Sequence, residues 1–297
     1  MEWSKGWQRL VRWSWWKQGK FHRPASLPLR APDSRLPQSP LVSVIMTIHD
    51  SERWLEAAIR SITGQTWTNL QIVLVDDAST DSSVEIIRAA QAIDGRIELI
   101  RMSANAGTYA AKNAGLAQAR GDAITFMDSD DTCNPQRIEK QLAALRAPGI
   151  VASTCNYVRH TEGGELVLNQ GLRERLALIS LMIKREIVDE IGWFDNVRTS
   201  ADYEYFQRLR AVYGRQAHAN VDEPLYLALY REQSLTTDAS RGTDLRNNEA
   251  ALLSEPRKRY VDAFSAWHSD VLRRGRRPYM PRHSMNRPFV APAELLG

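Results

Sequence analysis

Four consecutive residues at positions 128 to 131 have the clearest potential for chemistry in this sequence. They read Asp128-Ser129-Asp130-Asp131 and follow an apolar run at 123–127. Carboxylates two positions apart, on a turn that leaves a strand, can both reach one hard divalent cation. Mg²⁺ or Mn²⁺ prefers such oxygen ligands together with diphosphate oxygens, so the stretch predicts a metal–diphosphate site. An isolated Asp-Ser-Asp is more often a strand-to-helix loop with Asp caps, and other residues must decide between the two.

Polar residues also follow two earlier apolar runs. Thr47 and His49 come after the first run, and Asp76 and Asp77 come after the second. The carboxyl ends of parallel strands meet at one edge of a sheet, and ligands bind there. Several acids at one edge repel one another unless a cation compensates their charge. The convergence of these side chains therefore favours a ligand site over a set of helix caps.

Short apolar runs alternate with helical patterns from residue 41 onward. The predicted strands cover 41–47, 70–75, 97–101 and 123–127, and the predicted helices cover 53–63, 81–93 and 108–119. This alternation predicts right-handed crossovers and an α/β fold with a mainly parallel central sheet flanked by helices. Gly163-Gly164 predicts a hairpin turn, because paired glycines supply positive φ.

The charge is distributed unevenly along the 297 residues, although the net charge is only +4. Residues 41–240 hold 20 basic and 27 acidic residues, whereas both ends are basic. An acidic central region argues against a nucleic-acid partner, and basic ends suit an anionic membrane surface or polymer. The two cysteines are too few for a disulfide framework, and the apolar runs are too short to cross a membrane. We therefore expect a cytoplasmic protein.

The two ends of the chain differ in composition from its centre. Tryptophans at positions 3, 7, 13, 15 and 16 are interleaved with Lys and Arg, and prolines recur between 24 and 40. A helix at a lipid interface and a helix packed on the main domain explain the tryptophans equally well. The chain thus divides into an N-terminal arm and linker (1–40), a main domain (41–240) and a basic extension (241–297). In the extension, 247–274 is predicted to be a helix whose apolar stripe packs on the domain.

The main domain resembles the nucleotide-binding half of the family 2 inverting glycosyltransferases, which have the GT-A fold. The resemblance is carried by two runs, VSVIMTIHDSERWLEAAIRSITGQTWTNLQIVLVDDASTD and NAGTYAAKNAGLAQARGDAITFMDSDD. It implies transfer of a sugar from a nucleotide-diphosphate donor with the help of Mn²⁺ or Mg²⁺. Asp130 is then the principal metal ligand, with Asp128 and Ser129 completing the loop. Lys112, which precedes Asn113, faces the donor phosphates.

The resemblance also assigns the nucleotide site at the first two strand ends. Thr47 and Asp77 are expected to contact the base of a uridine-type donor, with Asp77 accepting from the ring N–H. Asp76 belongs to the same site. His49 and Asp50 stand where an aromatic residue and Asn are common in the family, which implies that an imidazole stacks on the base.

A second motif resembles the family's segment for the catalytic base. It reads Ser200-Ala-Asp202-Tyr-Glu204 and follows Gly192-Trp-Phe-Asp195. By this resemblance Asp202 takes the proton from the acceptor hydroxyl while its oxygen attacks the anomeric carbon, which inverts the configuration. The alternative for Asp202 is a first-turn acid favoured by the helix dipole. Glu204 is a rival base, but it lies two helical positions away and points elsewhere.

Two other classes of protein fit part of the pattern. The loop from Asp128 to Thr132 also matches the nucleophile loop of haloacid-dehalogenase-like phosphatases, in which Asp128 would be phosphorylated. In those phosphatases that loop follows the first strand of the domain, however, whereas here it follows the fourth predicted strand. The other class is a non-catalytic scaffold that binds nucleotide, which has no need of Asp202.

The expected partners follow from the resemblance and from the terminal arm together. The donor is a UDP-sugar, and the acceptor is a glycan or a lipid-linked molecule in cell-surface polysaccharide synthesis. The Trp-rich basic arm suggests peripheral attachment to the inner face of the cell membrane.

Overall fold

Four parallel strands form the first half of the central sheet. They are β1 (Val42–Ile48), β2 (Leu70–Asp76), β3 (Ile97–Arg101) and β4 (Ala123–Asp128), in the spatial order β3-β2-β1-β4. The structure is a computed structural model that describes residues 35–169, 171–231, 254–282 and 287–296. Every residue of β1 and β2 is buried, as expected for strands covered on both faces.

Shorter and mixed strands extend the sheet beyond β4. They are β5 (Thr132–Cys133), β6 (Ala152–His160), β7 (Leu166–Val167), β8 (Arg175–Leu176), β9 (Met182–Lys184) and β10 (His218–Leu229). The order continues β4-β9-β6-β10-β5, with β9 antiparallel to both of its neighbours and β10 parallel to β6. β7 and β8 pair with β6 at its outer end. The sheet is therefore mostly parallel at its centre and mixed at one side.

Helices cover both faces of the sheet. They are α1 (Glu52–Thr63), α2 (Ser83–Ile93), α3 (Thr108–Gln118), α4 (Arg137–Leu145), α5 (Glu186–Ile191), α6 (Ala201–Tyr213) and α7 (Glu255–Arg273). Buried residues of α1, α2 and α4 form one hydrophobic core with Val44 and Met46 of β1. Buried residues of α3, α5, α6 and α7 form the second core with Ile45. Successive side chains of β1 thus point alternately into the two cores.

Helix α3 lies very close to the sheet, and a glycine makes this possible. A Cβ atom on Gly115 would lie 2.5 Å from the Cγ2 atom of Ile45 and 3.2 Å from a methyl of Val75. Any side chain at this position would push α3 away from β1 and β2, because packed interiors have no room to spare. The close approach brings the residues at the start of α3 to the carboxyl ends of these strands.

The C-terminal segment is built into the second core. Tyr260, Phe264 and Trp267 of α7 are buried there, as the predicted apolar stripe requires. Gly192 and Met280 join the segment to the domain through hydrogen bonds from Trp193 N to Met280 O and from Met280 N to Ile191 O, each 3.0 Å. Gly192 has φ +84°, and a Cβ there would collide with the Met280 carbonyl. The segment is therefore part of the folded body.

The strands and helices predicted between residues 41 and 127 agree with the structure to within two residues at each end. Helix 81–93 begins at Ser83 with Ser82 at the N-cap, and the Asp81 carboxylate, one residue before the cap, accepts a hydrogen bond from Ser83 N (3.0 Å). Gly164, with φ +82°, forms the predicted turn between β6 and β7. Of the helix predicted at 247–274, residues 247–253 lie outside the described residues, as does the Trp-rich arm. Within the described ranges no helix has both the length and the apolar character needed to cross a membrane.

Candidate functional site

The strand register brings the predicted polar residues to one edge of the sheet. Thr47 pairs in register with Asp128 across β1 and β4, and Ile48 pairs with Asp76 across β1 and β2. Because these strands are parallel, their carboxyl ends lie at the same edge of the sheet, and we call the region in front of Thr47, Asp76 and Asp128 the cleft. The convergence predicted from the sequence is therefore present in the structure.

A buried lysine faces the first of the two candidate metal ligands. The Lys112 side chain projects from α3, is 5% exposed, and places its Nζ 3.7 Å from Asp128 Oδ1. Its ammonium group also lies over the rings of Tyr109 (5.3 Å) and Phe126 (6.0 Å). Cation–π contacts and a carboxylate compensate a buried ammonium group for lost hydration. Lys112 is thus held in one place at the floor of the cleft.

Asp128 lies in a surplus of negative charge. Burial raises the pKa of its carboxyl, Lys112 opposes this shift, and the charges of Asp130 and Asp202 raise the pKa further. The side chain keeps 42% of its surface accessible, so its oxygens border the cleft although the protein around them limits hydration. A cation added beside these three acids would relieve their repulsion.

The next residues of the loop have distinct partners. The Ser129 and Ser51 hydroxyls are 2.7 Å apart and buried, which ties the loop to the start of α1. Asp130 Oδ2 lies 2.5 Å from the Arg231 guanidinium, and its side chain is 15% exposed. Arg231 lies two residues beyond the end of β10 and was not predicted as a site residue. In the sequence, only its position after Tyr230, near the end of the region that resembles the family, could have pointed to it.

Asp131 has a structural role in the same loop. Its Oδ1 accepts a hydrogen bond from Leu229 N (2.7 Å), which joins the loop after β4 to the end of β10. Burial raises the pKa of this carboxyl well above its ordinary value, and the charges of Asp130 and Asp128 add to the shift. Tyr226 of β10 reinforces the connection, since its hydroxyl oxygen accepts from Asp128 N at 3.2 Å.

The carboxylates at the end of β2 accept hydrogen bonds from backbone amides. Asp77 accepts hydrogen bonds from Ala106 N and Gly107 N, each 2.8 Å, and so fixes the turn that leads into α3. Asp76 is completely buried and its Oδ1 accepts from Ser79 N (3.1 Å). Its Oδ2 has no hydrogen-bond partner and lies 3.6 Å from the Arg101 guanidinium. A carboxylate oxygen retains further lone pairs, so Asp77 can still accept from a ligand.

The two residues predicted at the end of β1 differ in exposure. The Thr47 hydroxyl is nearly buried and lies 3.0 Å from the Thr108 hydroxyl at the start of α3. His49 is exposed, and its Nε2 lies 3.5 Å from Asp50 Oδ2. Asp50 has φ +44°, a strained conformation for a residue with a side chain. The imidazole is thus accessible to a flat ligand at the rim of the cleft.

Asp202 faces the same cleft from the second half of the domain. Its Oδ1 accepts from the Tyr109 hydroxyl (2.8 Å) and from Tyr203 N (2.9 Å). Helix α6 begins one residue earlier, after Ser200 with φ +72°, which is another strained position of the kind that accompanies functional sites. Burial and the Asp202 charge raise the pKa of Tyr109 well above its ordinary value, so the phenol stays a hydrogen-bond donor.

Helix α3 therefore connects the two acids that the proposed chemistry needs. Lys112 contacts Asp128 and Tyr109 contacts Asp202, and these two residues lie three positions apart on one face of α3. Tyr109 was not singled out from the sequence. In the sequence, only its spacing of three positions from Lys112 could have pointed to it, and this spacing is informative only when Asp202 is known to lie next to Tyr109. The buried Arg257 of α7 donates to the Thr199 hydroxyl (2.5 Å), directly before Ser200, and supports this wall from behind.

Glu204 points away from the cleft, as expected. It is completely buried, and its two oxygens contact Arg208 (3.1 Å) and His268 Nε2 (2.8 Å). Arg208 is also completely buried and donates to the carbonyl oxygens of Ile191 (2.5 Å) and Trp193 (2.6 Å). His218 Nε2 lies 2.9 Å from the Thr154 hydroxyl, and burial lowers the pKa of His218 to about 4.

The donor set at the end of β4 suits a hard divalent cation only in part. Among the described residues no group of three His, Cys, Asp or Glu side chains is arranged to hold a metal. Asp128 and Asp130 offer two carboxylates, and Mg²⁺ or Mn²⁺ commonly completes its shell with water and substrate phosphate oxygens. The raised pKa of Asp128, caused in part by the neighbouring acids, indicates charge that a cation would balance. The residues therefore fit a metal that is shared with a diphosphate.

Comparison with solved structures identifies the fold as GT-A. TarS from S. aureus, solved in complex with UDP-GlcNAc, matches with a TM-score of 0.54 and 19% identity, over 67% of this chain and 61% of that chain. The mannosyltransferase PcManGT from Pyrobaculum calidifontis, solved with GDP-Man and Mn²⁺, matches with a TM-score of 0.51 and 19% identity, over 75% of this chain and 62% of that chain. These likenesses place the chain in the class of GT-A glycosyltransferase folds.

The family follows from the sequence comparisons. The profile of glycosyl transferase family 2 matches residues 43–206, and the chain belongs to this family. An uncharacterized glycosyltransferase of Haemophilus influenzae is 34% identical, over 56% of this chain and 70% of its own length. The putative teichuronic acid biosynthesis glycosyltransferase TuaG of Bacillus subtilis is 29% identical, over 55% and 69%. Membership in this family removes the phosphatase alternative.

Proposed function

We propose that this glycosyltransferase moves a sugar from a UDP-sugar to a hydroxyl group of a glycan or lipid-linked acceptor, with inversion at the anomeric carbon. One observation carries the proposal. Asp128 and Asp202, on opposite sides of one cleft, are both held from the same face of α3, by Lys112 and by Tyr109. A donor diphosphate beside Asp128 and an acceptor hydroxyl beside Asp202 would then meet within a single site.

The donor side of the cleft binds the nucleotide diphosphate. Asp128 and Asp130 would hold Mn²⁺ or Mg²⁺, which supplies charge to stabilise the diphosphate as it departs. Lys112 adds a fixed positive charge at the floor, where it needs no rearrangement during the reaction. Ser129 keeps this loop in place through its contact with Ser51.

The nucleotide base lies at the ends of β1 and β2. Asp77, with both oxygens already oriented by the turn before α3, accepts from the ring N–H of uracil. Thr47 and Asp76 line the same edge, and the accessible imidazole of His49 stacks on the base. UDP-sugar is preferred as the donor because TarS, which shares the fold, was solved with UDP-GlcNAc.

Asp202 is the proposed general base. Its carboxylate takes the proton from the acceptor hydroxyl as the oxygen forms a bond to the anomeric carbon and the bond to the diphosphate breaks. The Tyr109 hydroxyl and Tyr203 N both donate to Oδ1, which leaves Oδ2 for the acceptor. Attack from the side opposite to the leaving diphosphate inverts the configuration.

A role in cell-surface polysaccharide synthesis agrees with the similarity to the teichuronic acid enzyme. Peripheral attachment through residues 1–20, whose Trp and basic residues suit an anionic surface, completes this proposal. Liposome flotation with the full chain and with a chain lacking residues 1–20 tests it. Attachment requires that only the full chain floats with anionic vesicles, and the absence of flotation by either form would remove the membrane part.

The experiment for the whole proposal is a panel of UDP-, GDP- and dTDP-sugars with Mn²⁺ or EDTA. We expect metal-dependent release of nucleotide from a UDP-sugar by the wild type, and a loss of at least about 100-fold in Asp130→Ala and Asp202→Asn. Asp262→Asn, at an exposed position of α7, is the matched control and retains activity. Binding of UDP without turnover of any donor would favour the scaffold alternative, and no binding of nucleotide would refute the proposal.

A further inference from the structure

Arg231 places a positive charge at the oxygen of Asp130 that a metal would use. Its guanidinium lies 2.5 Å from Asp130 Oδ2 and stacks over the indole ring of Trp54 at 4.5 Å from the ring centroid. A guanidinium on an aromatic face is itself stabilised by cation–π attraction. Two independent contacts thus hold Arg231 over the acid.

The two residues before Arg231 are fixed through their backbone amides. Leu229 N donates to Asp131 Oδ1 (2.7 Å), and Tyr230 N donates to His160 O (2.7 Å). Asp131 follows Asp130 directly, so the anchor of β10 and the partner of Arg231 belong to one loop. The approach of Arg231 to Asp130 is therefore set by the fold and not only by a long side chain.

The aromatic platform under Arg231 is anchored as well. The Trp54 indole N–H donates to Glu162 Oε1 (3.0 Å), and Arg53 contacts Glu162 Oε2 (2.5 Å). Glu162 lies in the turn between β6 and β7, whereas Trp54 lies in α1. These contacts hold the ring where it supports the guanidinium.

The two acids of the loop after β4 therefore have one basic partner each, but the two partners differ in solvent exposure. Lys112, the partner of Asp128, is 5% exposed and enclosed by rings, whereas Arg231, the partner of Asp130, is 37% exposed. A divalent cation and a guanidinium cannot share Oδ2 of Asp130 without strong repulsion. The exposed partner is the one that can leave into solvent.

We propose that Arg231 is an internal counter-cation that competes with the divalent metal for Asp130 and thereby sets the affinity for the metal. In the metal-free state Arg231 neutralises Asp130, and it must swing away from Oδ2 before the metal can bind. This inference rests on the proposed role of Asp130 as a metal ligand. Its consequence is that removing Arg231 tightens metal binding, which is the opposite of what loss of a supporting residue would do.

Binding of Mn²⁺ alone, followed by electron paramagnetic resonance of the free ion, tests the proposal without turnover. The proteins are the wild type, Arg231→Ala, Arg231→Gln, Asp130→Ala and the control Arg60→Ala. Arg60 carries the same charge on α1 but is exposed and pairs with Glu56 at 3.0 Å. We expect both Arg231 variants to bind Mn²⁺ about fivefold more tightly than the wild type, since a partly exposed ion pair contributes up to about 1 kcal/mol. Arg60→Ala stays within about twofold of the wild type.

The outcomes separate this inference from the proposed function. Mn²⁺ affinity that is unchanged or weaker in both folded Arg231 variants overturns the counter-cation, and the metal site stands if Asp130→Ala still abolishes binding. Binding of UDP with no binding of Mn²⁺ by any of the proteins overturns the counter-cation and the metal site together. Tighter binding in Arg231→Gln alone is sufficient support if Arg231→Ala does not fold.

Discussion

Glu204 and Asp202 lie two residues apart on α6, and the structure predicts opposite consequences for replacing them. Glu204→Gln removes the only carboxylate that the described structure places on the completely buried Arg208 guanidinium. It also weakens the contact with His268 Nε2 of α7. The site at Asp202 stays intact, because Glu204 faces the second core and not the cleft.

The size of the effect follows from the burial of both charges. Breaking a buried ion pair by neutralising one partner costs about 3–5 kcal/mol, because the remaining charge is left without compensation. Arg208 keeps its hydrogen bonds to the Ile191 and Trp193 carbonyls, which favours the lower end, about 3 kcal/mol. A loss of about 3 kcal/mol lowers the melting temperature of a domain of this size by about 6–12 °C.

Two measurements separate stability from activity. Urea denaturation gives the free energy of unfolding of each variant. Nucleotide release, measured about 20 °C below the melting temperature of each variant, gives its activity while it is folded. Glu204→Gln is expected to lose stability and to retain turnover within about threefold while it is folded. Asp202→Asn is expected to retain stability and to lose turnover. A stable Glu204→Gln protein without turnover would identify Glu204 as the base and refute the reasoning that separates the two acids.

Three further predictions concern other parts of the fold. Burial lowers the pKa of His218 to about 4, so the stability that its neutral form contributes above the unfolded pKa is lost as the pH falls. Between pH 7 and pH 5 the free energy of unfolding, measured by urea titration, should therefore fall by about 2 kcal/mol less in His218→Gln than in the wild type. Equal losses would contradict this. Tyr109→Phe removes one hydrogen bond to Asp202 and should lower kcat about tenfold with unchanged affinity for UDP, whereas a change in affinity alone would oppose a positioning role. Gly192→Ala collides with the Met280 carbonyl and should increase proteolysis at the C-terminal segment, and wild-type resistance would show that the contact tolerates a side chain.

The first half of the fold could be predicted because its signals are local. Apolar strands such as 70–75 and the helices between them show their period directly in the sequence, and parallel pairing then fixes a common edge. The placement of Thr47, Asp76 and Asp128 at that edge follows from these rules alone. The strand β7 followed from the glycine pair that predicts its hairpin, whereas β8 and β9 could not be predicted, since pairs and triplets of residues carry no period.

The contacts that complete the site could not be predicted, because they join residues far apart in the sequence. Tyr109 and Asp202 are 93 positions apart, and Arg231 reaches Asp130 only through the pairing of β5 with β10. Asp77 was assigned to the nucleotide base from the resemblance, but its additional contacts to Ala106 N and Gly107 N depend on the turn before α3. Local patterns do not contain such geometry.

The configuration of the sugar released by hydrolysis tests the central claim most directly, and it requires no knowledge of the acceptor. An α-linked UDP-sugar is incubated with the enzyme and the metal, and proton NMR follows the anomeric signals before the free sugar equilibrates. Direct displacement assisted by Asp202 predicts that the β anomer appears first and that Asp202→Asn releases neither. Release of the α anomer first would contradict the single displacement on which the assignment of Asp202 as the base rests.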